Sequence, residues 1–282
     1  MSQVWVFTLP RPTLLTETAQ PIPSETFLAE AQRLVSESSQ RGLVLRALGG
    51  VGIRLQCQGY EDLARRLNRV ADGVAPGQEF VDLDFAAYRR QRPALPAFFN
   101  RMGYDKRKTT FATAISERHI YFHRAGWFQI DVFFDKMLME HDLDLQGRLE
   151  LNAPSLCPTD LLLSKLLITH FTLKDLKDTW LLLCAHPVAR EAAQAIQPDY
   201  IARAVCHDWG FWYDVVTNLS RLRSMTPEST LLLESEKSDI LAKVEAIAHA
   251  IEQQPKTLAW RLRSVIGRRK QWYRPVEESE PA

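Results

Sequence analysis

Two aspartates stand one residue apart in FVDLDFAAY, residues 80–88. Asp82 and Asp84 alternate with Val81, Leu83 and Phe85, the period of a strand with one apolar face. On a strand, both carboxylates project from the same side. Carboxylates are poor strand formers, and two like charges on one face cost free energy unless a cation joins them. A divalent metal does that directly. Mg²⁺ (or Mn²⁺) prefers oxygen ligands and is typically held by one or two carboxylates plus substrate phosphates. The chemistry that follows is phosphoryl or nucleotidyl transfer, in which bound metal neutralises a triphosphate and orients an attacking hydroxyl. Taken alone, the motif also allows an exposed strand with solvated charges.

Such a site needs a third carboxylate and a cradle for phosphate. QIDVFFD, residues 129–135, sets Asp131 between Ile130 and Val132 in a second β-rich run. LGGVGIR, residues 48–54, sets Gly49 and Gly50 between an apolar strand and an expected helix start. There, backbone N–H groups can approach phosphate oxygens with no Cβ in the way. Lys165 interrupts an apolar helix among Leu161, Leu162, Leu163, Leu166 and Leu167. It either snorkels to solvent or enters a cleft to meet phosphate. In KDLKD, residues 174–178, Lys174 and Lys177 repeat at helical spacing, as do Asp175 and Asp178. That is either a solvated charged face or part of the same cleft.

The elements that must position these residues follow from periodicity and punctuation. Residues 1–24 are rich in Pro and Thr and read as irregular. Ser24 can cap a helix over 25–39. Short strands are expected over 43–48 and 80–88, with a polar stretch over 59–79 and a loop at 73–77 between them. A helix over 93–102 precedes a hairpin of 118–123 and 128–134 around Ala125-Gly126. A further strand is expected at 149–151. After Pro158, helical periods dominate, over 160–168 with Thr159 as cap, then 174–183, 198–205, 211–222, 238–252 and 257–271. The expected fold is α+β: a small mixed β-sheet core with helices over 25–155, then a helical domain over 156–274. An acidic, disordered tail is expected over 275–282.

Composition narrows the classes. The 282 residues have a formal net charge of +1 and are 46% hydrophobic, as in a soluble globular chain. Cys57, Cys157, Cys184 and Cys206 form no CxxC pair, which suits a reducing cytoplasm better than a disulfide framework. MSQVWVFTLPRP lacks the pattern of a secretory signal, and no apolar run is long enough to span a bilayer. The expectation is a cytoplasmic protein with no membrane partner. The histidines lack metal spacing, and neither GxSxG nor a P-loop occurs. The last helix carries Leu258, Leu262, Val265 and Ile266 on one side, with Arg261, Arg263, Arg268, Arg269 and Lys270 interleaved with aromatics. One reading is a helix docked through Leu258, Leu262 and Val265 with a solvated basic face. The other is a surface for RNA, its aromatics stacking on bases. Basic stretches at 88–92 and 105–108 would add to such a surface.

The order of a glycine pair, Asp-x-Asp and a third Asp resembles the nucleotidyltransferase superfamily of the DNA polymerase β type. More narrowly, it resembles the bacterial and archaeal group that includes AbiEii-type toxins. RALGGVGIRL (46–55) is similar to that group's first motif and FVDLDF (80–85) to its metal motif. TDLLLSKLLITHFTLKDLKDTWLLL (159–183) is similar to the helical region that follows, so the resemblance spans roughly residues 43–185. It implies that Asp82, Asp84 and Asp131 form the catalytic, metal-binding set, Asp131 as ligand or as base. It implies that Gly49 and Gly50 hold the triphosphate, with Lys165, Lys174 and Asp175 at the nucleotide and Asp178 in support. The implied partners are a nucleoside triphosphate, a hydroxyl acceptor and, for a toxin of that type, an antitoxin; the basic last helix and the basic stretches at 88–92 and 105–108 point to RNA or tRNA as the acceptor, with protein as the other class. Val51 stands where the family often has Ser or Thr, and residues 59–79 lengthen the spacing to Asp82. These departures leave a non-catalytic regulator or an RNA-binding protein as the alternative.

Overall fold

The computed structural model describes residues 21–71, 76–108, 118–190 and 194–275. Most of the expected N-terminal irregular segment, residues 73–75 of the expected loop and residues 276–282 of the tail lie outside the described residues. Helix α1 (Ser24–Ser39) leads into strand β1 (Leu45–Leu48), helix α2 (Gly49–Gln56) and helix α3 (Glu61–Leu67). Strand β2 (Asp82–Ala87) carries the Asp-x-Asp motif, and α4 (Leu95–Arg101) follows it. Strands β3 (Tyr104–Lys106), β4 (His119–His123) and β5 (Gln129–Phe134) come next, then the short pair β6 (Lys136–Leu138) and β7 (Asp142–Asp144). Among the described residues, the strands run in the order β1-β2-β5-β4-β3, with β6 and β7 continuing from β5. β2 and β5 are parallel and the other pairs antiparallel, so the sheet is mixed.

Alternation along β2 and β5 divides the core. Leu83, Phe85 and Ala87, with Ile130, Val132 and Phe134, face α1 and α4 and pack with Phe27, Leu34, Leu95 and Phe99. Phe85 is fully buried, and truncating such a residue to Ala typically costs about 3–5 kcal/mol. The opposite face presents Asp82, Asp84 and Asp131, then Ala86 and Phe133. Ala86 and Phe133 join the apolar cluster of the helical half.

That half comprises α5 (Pro158–Leu166), α6 (Leu173–Ala185), α7 (Pro198–Val205), α8 (Trp209–Glu228), α9 (Glu234–Gln253) and α10 (Leu258–Ile266). α9 packs against α6, α7 and α8, while α2 packs against α5 and α6. One apolar cluster, running from Leu48 and Ile53 through Leu161 and Leu182 to Ile247, crosses the expected boundary near residue 155. The sheet's acidic face therefore looks into the helical half rather than into open solvent.

Some expected elements differ. Residues 149–151 form turns and bends, not a strand: Leu149 is buried as an anchor, and Arg148 is tied 2.7 Å from Asp160. Thr159 does not cap α5. Pro158 starts the helix after Cys157, and the Thr159 hydroxyl donates to the Ala195 carbonyl at 3.1 Å. The stretch 59–79 is not merely a polar insertion, because it contains α3. α10 stops at Ile266, where Gly267 takes φ +55°. Its apolar side is not docked: Leu258, Leu262, Val265 and Ile266 are all exposed. Its inner side is Trp260 against Trp212 and the Arg263 guanidinium over Trp209.

Candidate active site

The register of the parallel pair sets Asp84 beside Asp131 and Asp82 beside Gln129. Matched residues in a parallel pair face the same way, so the three aspartates share one face. On the other side of β2, Leu48 of β1 lies opposite Asp84. The chain therefore leaves β1 into Gly49 next to the acidic pair. Gly49 has φ +64°, and a Cβ there would collide with Asp84 Oδ2. A Cβ at Gly50 would lie 2.5 Å from Arg69 Nη2. Gly49 is required through its backbone, whereas a side chain at Gly50 would displace the Arg69 guanidinium. α2 starts at this pair, so its unsatisfied N–H groups and positive dipole end border the carboxylates.

The result is a cleft of about 270 Å³. Gly49, Gly50, Asp82, Asp84, Lys165, Lys174 and Asp175 all line it. Asp131 does not; it stands behind the pair, buried, with Arg118 at 2.9 Å and the Gln129 amide donating at 2.7 Å. Asp82 and Asp84 are half-buried, and among the described residues no side chain is ion-paired to either. Burial drives the Asp84 carboxyl well above the usual carboxylate range, and the Asp82 and Asp131 charges push it further. Burial raises Asp82 too, against the pull of Lys174, Arg69 and Lys165. Asp131 is raised by burial, with Arg118 as the main opposing charge.

The donor chemistry fits Mg²⁺ or Mn²⁺. Asp82 and Asp84 are hard oxygen donors, crowded together on the wall of a cleft, with Lys174, Arg69 and Lys165 near but none in a direct ion pair with them. Among the described residues, no group of three or more His, Cys, Asp or Glu is placed to hold a metal ion. Two carboxylates completed by substrate phosphates is the arrangement these residues match.

The cations divide into held and available. Lys165 is buried, its Nζ 3.0 Å from Asp175 Oδ1 and 2.9 Å from Asp178 Oδ2. Burial opposes its charge, but Asp178 and Asp175 outweigh burial and hold its pKa above the ordinary lysine value. Asp175 serves α6 as well. Its carboxylate accepts from the Thr172 backbone N–H at 3.1 Å and from the Thr172 hydroxyl at 2.7 Å, and its backbone N–H donates to Thr172 Oγ1. Such a capping box is worth about 1 kcal/mol. Lys174, the residue before Asp175, lines the cleft and is half-buried.

Arg69 is the cleft residue that the sequence reading missed. It follows α3 in the long spacer and reaches back across the cleft. Its Nε lies 2.8 Å from Asp178 Oδ1, Nη1 donates to the Glu79 carbonyl, and its guanidinium sits over the Phe80 ring at 5.3 Å. Nη2 faces Gly50. No pattern in 59–79 marks this arginine out from Arg65 or Arg66; only the return of the chain to the sheet does. Arg118, which holds Asp131, is equally silent in the sequence.

No protein-family model and no curated protein matches the chain. Among solved structures it is similar to the solution structure of the antibiotic-resistance factor ANT(2'')-Ia, at 12% identity and a TM-score of 0.32, covering 82% of this chain and 97% of that one. At that distance the chemistry has to be read from this chain's own side chains. Among the described residues, no helix is long and apolar enough to cross a membrane.

Proposed function

We propose that the protein is a metal-dependent nucleotidyltransferase, moving a nucleoside monophosphate from a nucleoside triphosphate to a hydroxyl acceptor. One observation carries this reading: Asp82 and Asp84 share a cleft wall without a bound counter-charge, directly beside the Gly49-Gly50 helix start. Uncompensated carboxylates next to a phosphate cradle favour a ligand that brings cation and phosphate together.

In this reading Asp82 and Asp84 hold Mg²⁺ or Mn²⁺, which when bound supplies charge neutralisation for the triphosphate. The N–H groups at Gly49 and Gly50 take phosphate oxygens. Lys174 and Arg69 add positive charge, and the ion pairs of Lys165 with Asp175 and Asp178 fix that wall. The acceptor hydroxyl oxygen bonds to the α-phosphorus while the bond from that phosphorus to the pyrophosphate oxygen breaks. The hydroxyl proton leaves to water in the cleft, while Asp131, held behind the pair by Arg118 and Gln129, backs Asp84 across the parallel strands. The acceptor class is RNA, tRNA or protein, and the setting is cytoplasmic. An AbiEii-type role, which rests on the motif resemblance, adds an antitoxin; growth arrest on expression, relieved by Asp84→Asn, tests it.

The first test is thermal unfolding with each nucleoside triphosphate, with and without Mg²⁺. A ligand at about 100 times its Kd adds roughly 2.7 kcal/mol, on the order of 5–10 °C for a chain of this size. The expected result is a metal-dependent rise that Asp82→Asn/Asp84→Asn loses. Well-folded protein that shifts with no nucleotide would remove the proposal. A second reading draws on position 51: Val51 buries its side chain in the core and leaves no hydroxyl at the helix start. A regulator of that kind would show the same shift but release no pyrophosphate with any acceptor.

A further inference from the structure

The strongest feature outside the cleft is the outer face of α10. Leu258, Leu262, Val265 and Ile266 are 72%, 64%, 79% and 44% exposed. They fall at i, i+4, i+7 and i+8, one continuous stripe about 100° wide. Scattered exposed apolar residues are ordinary, but a contiguous row marks an interaction surface. The stripe is not there to close the fold, since α10 is attached through its opposite side by Trp260 and Arg263. The helix is also anchored firmly at both ends. Thr257 donates its backbone N–H and its hydroxyl to the Cys206 carbonyl at 3.3 and 3.4 Å, and Trp272 donates its indole N–H to both Asp214 oxygens at 3.1 Å.

The charge around the stripe is of one sign. No acidic residue stands between Lys256 and Arg274, in a chain whose net charge is only +1. Arg261, Arg268, Arg269 and Lys270 are exposed, and among the described residues none of them is ion-paired. At the end of the stripe, Val265, Ile266, Arg268, Arg269 and Trp272 border a shallow, open depression.

We infer that this face docks a partner protein through an acidic amphipathic helix. The partner's aliphatic stripe covers Leu258, Leu262 and Val265, and its acidic rim meets Arg261, Arg268 and Arg269. Helix-on-helix recognition of this kind uses anchors at i, i+3, i+4 and i+7 spacing. Charge complementarity selects the occupant. A second copy of this chain would set arginine rim against arginine rim. Nucleic acid would satisfy the charge but leave the aliphatic stripe in water. The aromatics that would stack on bases are already engaged, Trp260 on Trp212 and Trp272 on Trp209 and Tyr213. The inference does not depend on the nucleotide reading.

The test titrates the full chain with labelled synthetic helices of about 18 residues, followed by fluorescence anisotropy. One peptide carries a Leu stripe with Glu rims, one the same stripe with Lys rims, and a third probe is a single-stranded RNA of similar length. The Glu-rimmed peptide should bind at least tenfold more tightly than the Lys-rimmed one. Its affinity should fall with salt and drop at least tenfold in Leu262→Asp and in Arg268→Glu/Arg269→Glu. Circular dichroism of those variants keeps a folding defect apart from a lost surface. Equal binding of both peptides, binding of neither, or RNA binding that Leu262→Asp leaves intact would overturn the inference. So would a dimer in sedimentation that Leu262→Asp dissociates. A variant ending at Pro275 that alone binds the acidic peptide would assign the face to the chain's own Glu277–Glu280 instead.

Discussion

Two aspartate sites in this protein, one buried and one half-buried, are built in opposite ways. In the helical half, Asp214 is saturated. His141 Nε2 lies 2.7 Å from Oδ2, the Thr169 hydroxyl donates at 2.8 Å, and the Trp272 indole N–H reaches both oxygens. In the cleft, Asp82 and Asp84 have each other, Asp131 nearby, and no ion-paired cation among the described residues. A carboxylate with all its partners in place ties elements together. Here Asp214 fastens α8, the turn before α6, the β6–β7 region and the segment after α10. A carboxylate without partners destabilises the free protein and stores affinity for whatever supplies the missing charge.

The comparison breaks most visibly under substitution of one residue from each site. Asp84→Asn should lower nucleotidyl transfer by 10³-fold or more, about 4 kcal/mol of transition-state stabilisation. In metal-free buffer at neutral pH, the same variant should unfold no earlier than wild type and gain up to about 1 kcal/mol, because it removes a repelled buried charge. Pyrophosphate release and a melting curve on one preparation check both halves. A variant that melts well below wild type would mean that Asp84 is a structural ligand. Asp214→Ala should do the reverse. Leaving His141, Thr169 and Trp272 without their acceptor should cost about 3–5 kcal/mol, on the order of 10 °C in Tm, while folded protein below its transition keeps nucleotide binding. Unchanged melting would show that the network is redundant.

The contrast also explains which parts of the site were legible in the sequence. Alternation around Asp82 and Asp84 gave the strand and the shared face, because a period of two survives any tertiary context. Gly49-Gly50 was legible as a turn. That it touches Asp84 depends on the antiparallel register of β1 with β2, which no local pattern encodes. Asp131 was visible as a carboxylate in a β-run, but its parallel pairing with β2 and its guard by Arg118 are long-range facts. Lys165 reads as one cation among leucines; its partners come ten and thirteen residues later, across a turn. The expected strand at 149–151 failed because three residues of apolar–polar alternation fit a buried turn as well as a strand. The apolar side of α10 was legible, and its exposure was not, since amphipathicity says which side seeks burial without saying who provides it. Asp214 drew no notice, as a single Asp in an aromatic helix has no signature until His141 and Trp272 are folded onto it.

A smaller effect sharpens the comparison within the cleft. Of the cleft cations, Lys165 resembles Asp214 in being held on both sides, whereas Arg69 commits Nε and Nη1 and leaves Nη2 toward Gly50. Arg69→Gln should therefore raise Kd for a nucleoside triphosphate about tenfold, or about 1.4 kcal/mol. The effect on the matching monophosphate should be smaller, because the arginine faces the Gly49-Gly50 helix start rather than the rim. Isothermal titration of the two nucleotides separates these outcomes. An equal loss for both would place Arg69 in the architecture of the wall, acting through Asp178.

The least effect at neutral pH belongs to a third arrangement, on the far face of the sheet. His119 accepts from Arg92 Nε at 2.9 Å through Nε2, with Lys106 Nζ at 3.1 Å and the Tyr121 hydroxyl at Nδ1. Like the cleft aspartates it sits among like charges, but an imidazole can relieve the conflict by staying neutral. Burial, then Lys106 and Arg92, lower its pKa from the ordinary 6.5 to about 4. Between those values the unfolded chain binds a proton that the native protein refuses. Stability from this site is thus complete above pH 6.5 and lost as pH falls toward 4. His119→Gln, which keeps an acceptor without a titrating ring, should match wild type in its melting-temperature change between pH 8 and 7 and lose less than wild type between pH 6.5 and 4.5. Parallel acid slopes for the two proteins would mean that Arg92 or Lys106 moves away when the ring is protonated, and that this crowding is softer than the one between Asp82 and Asp84.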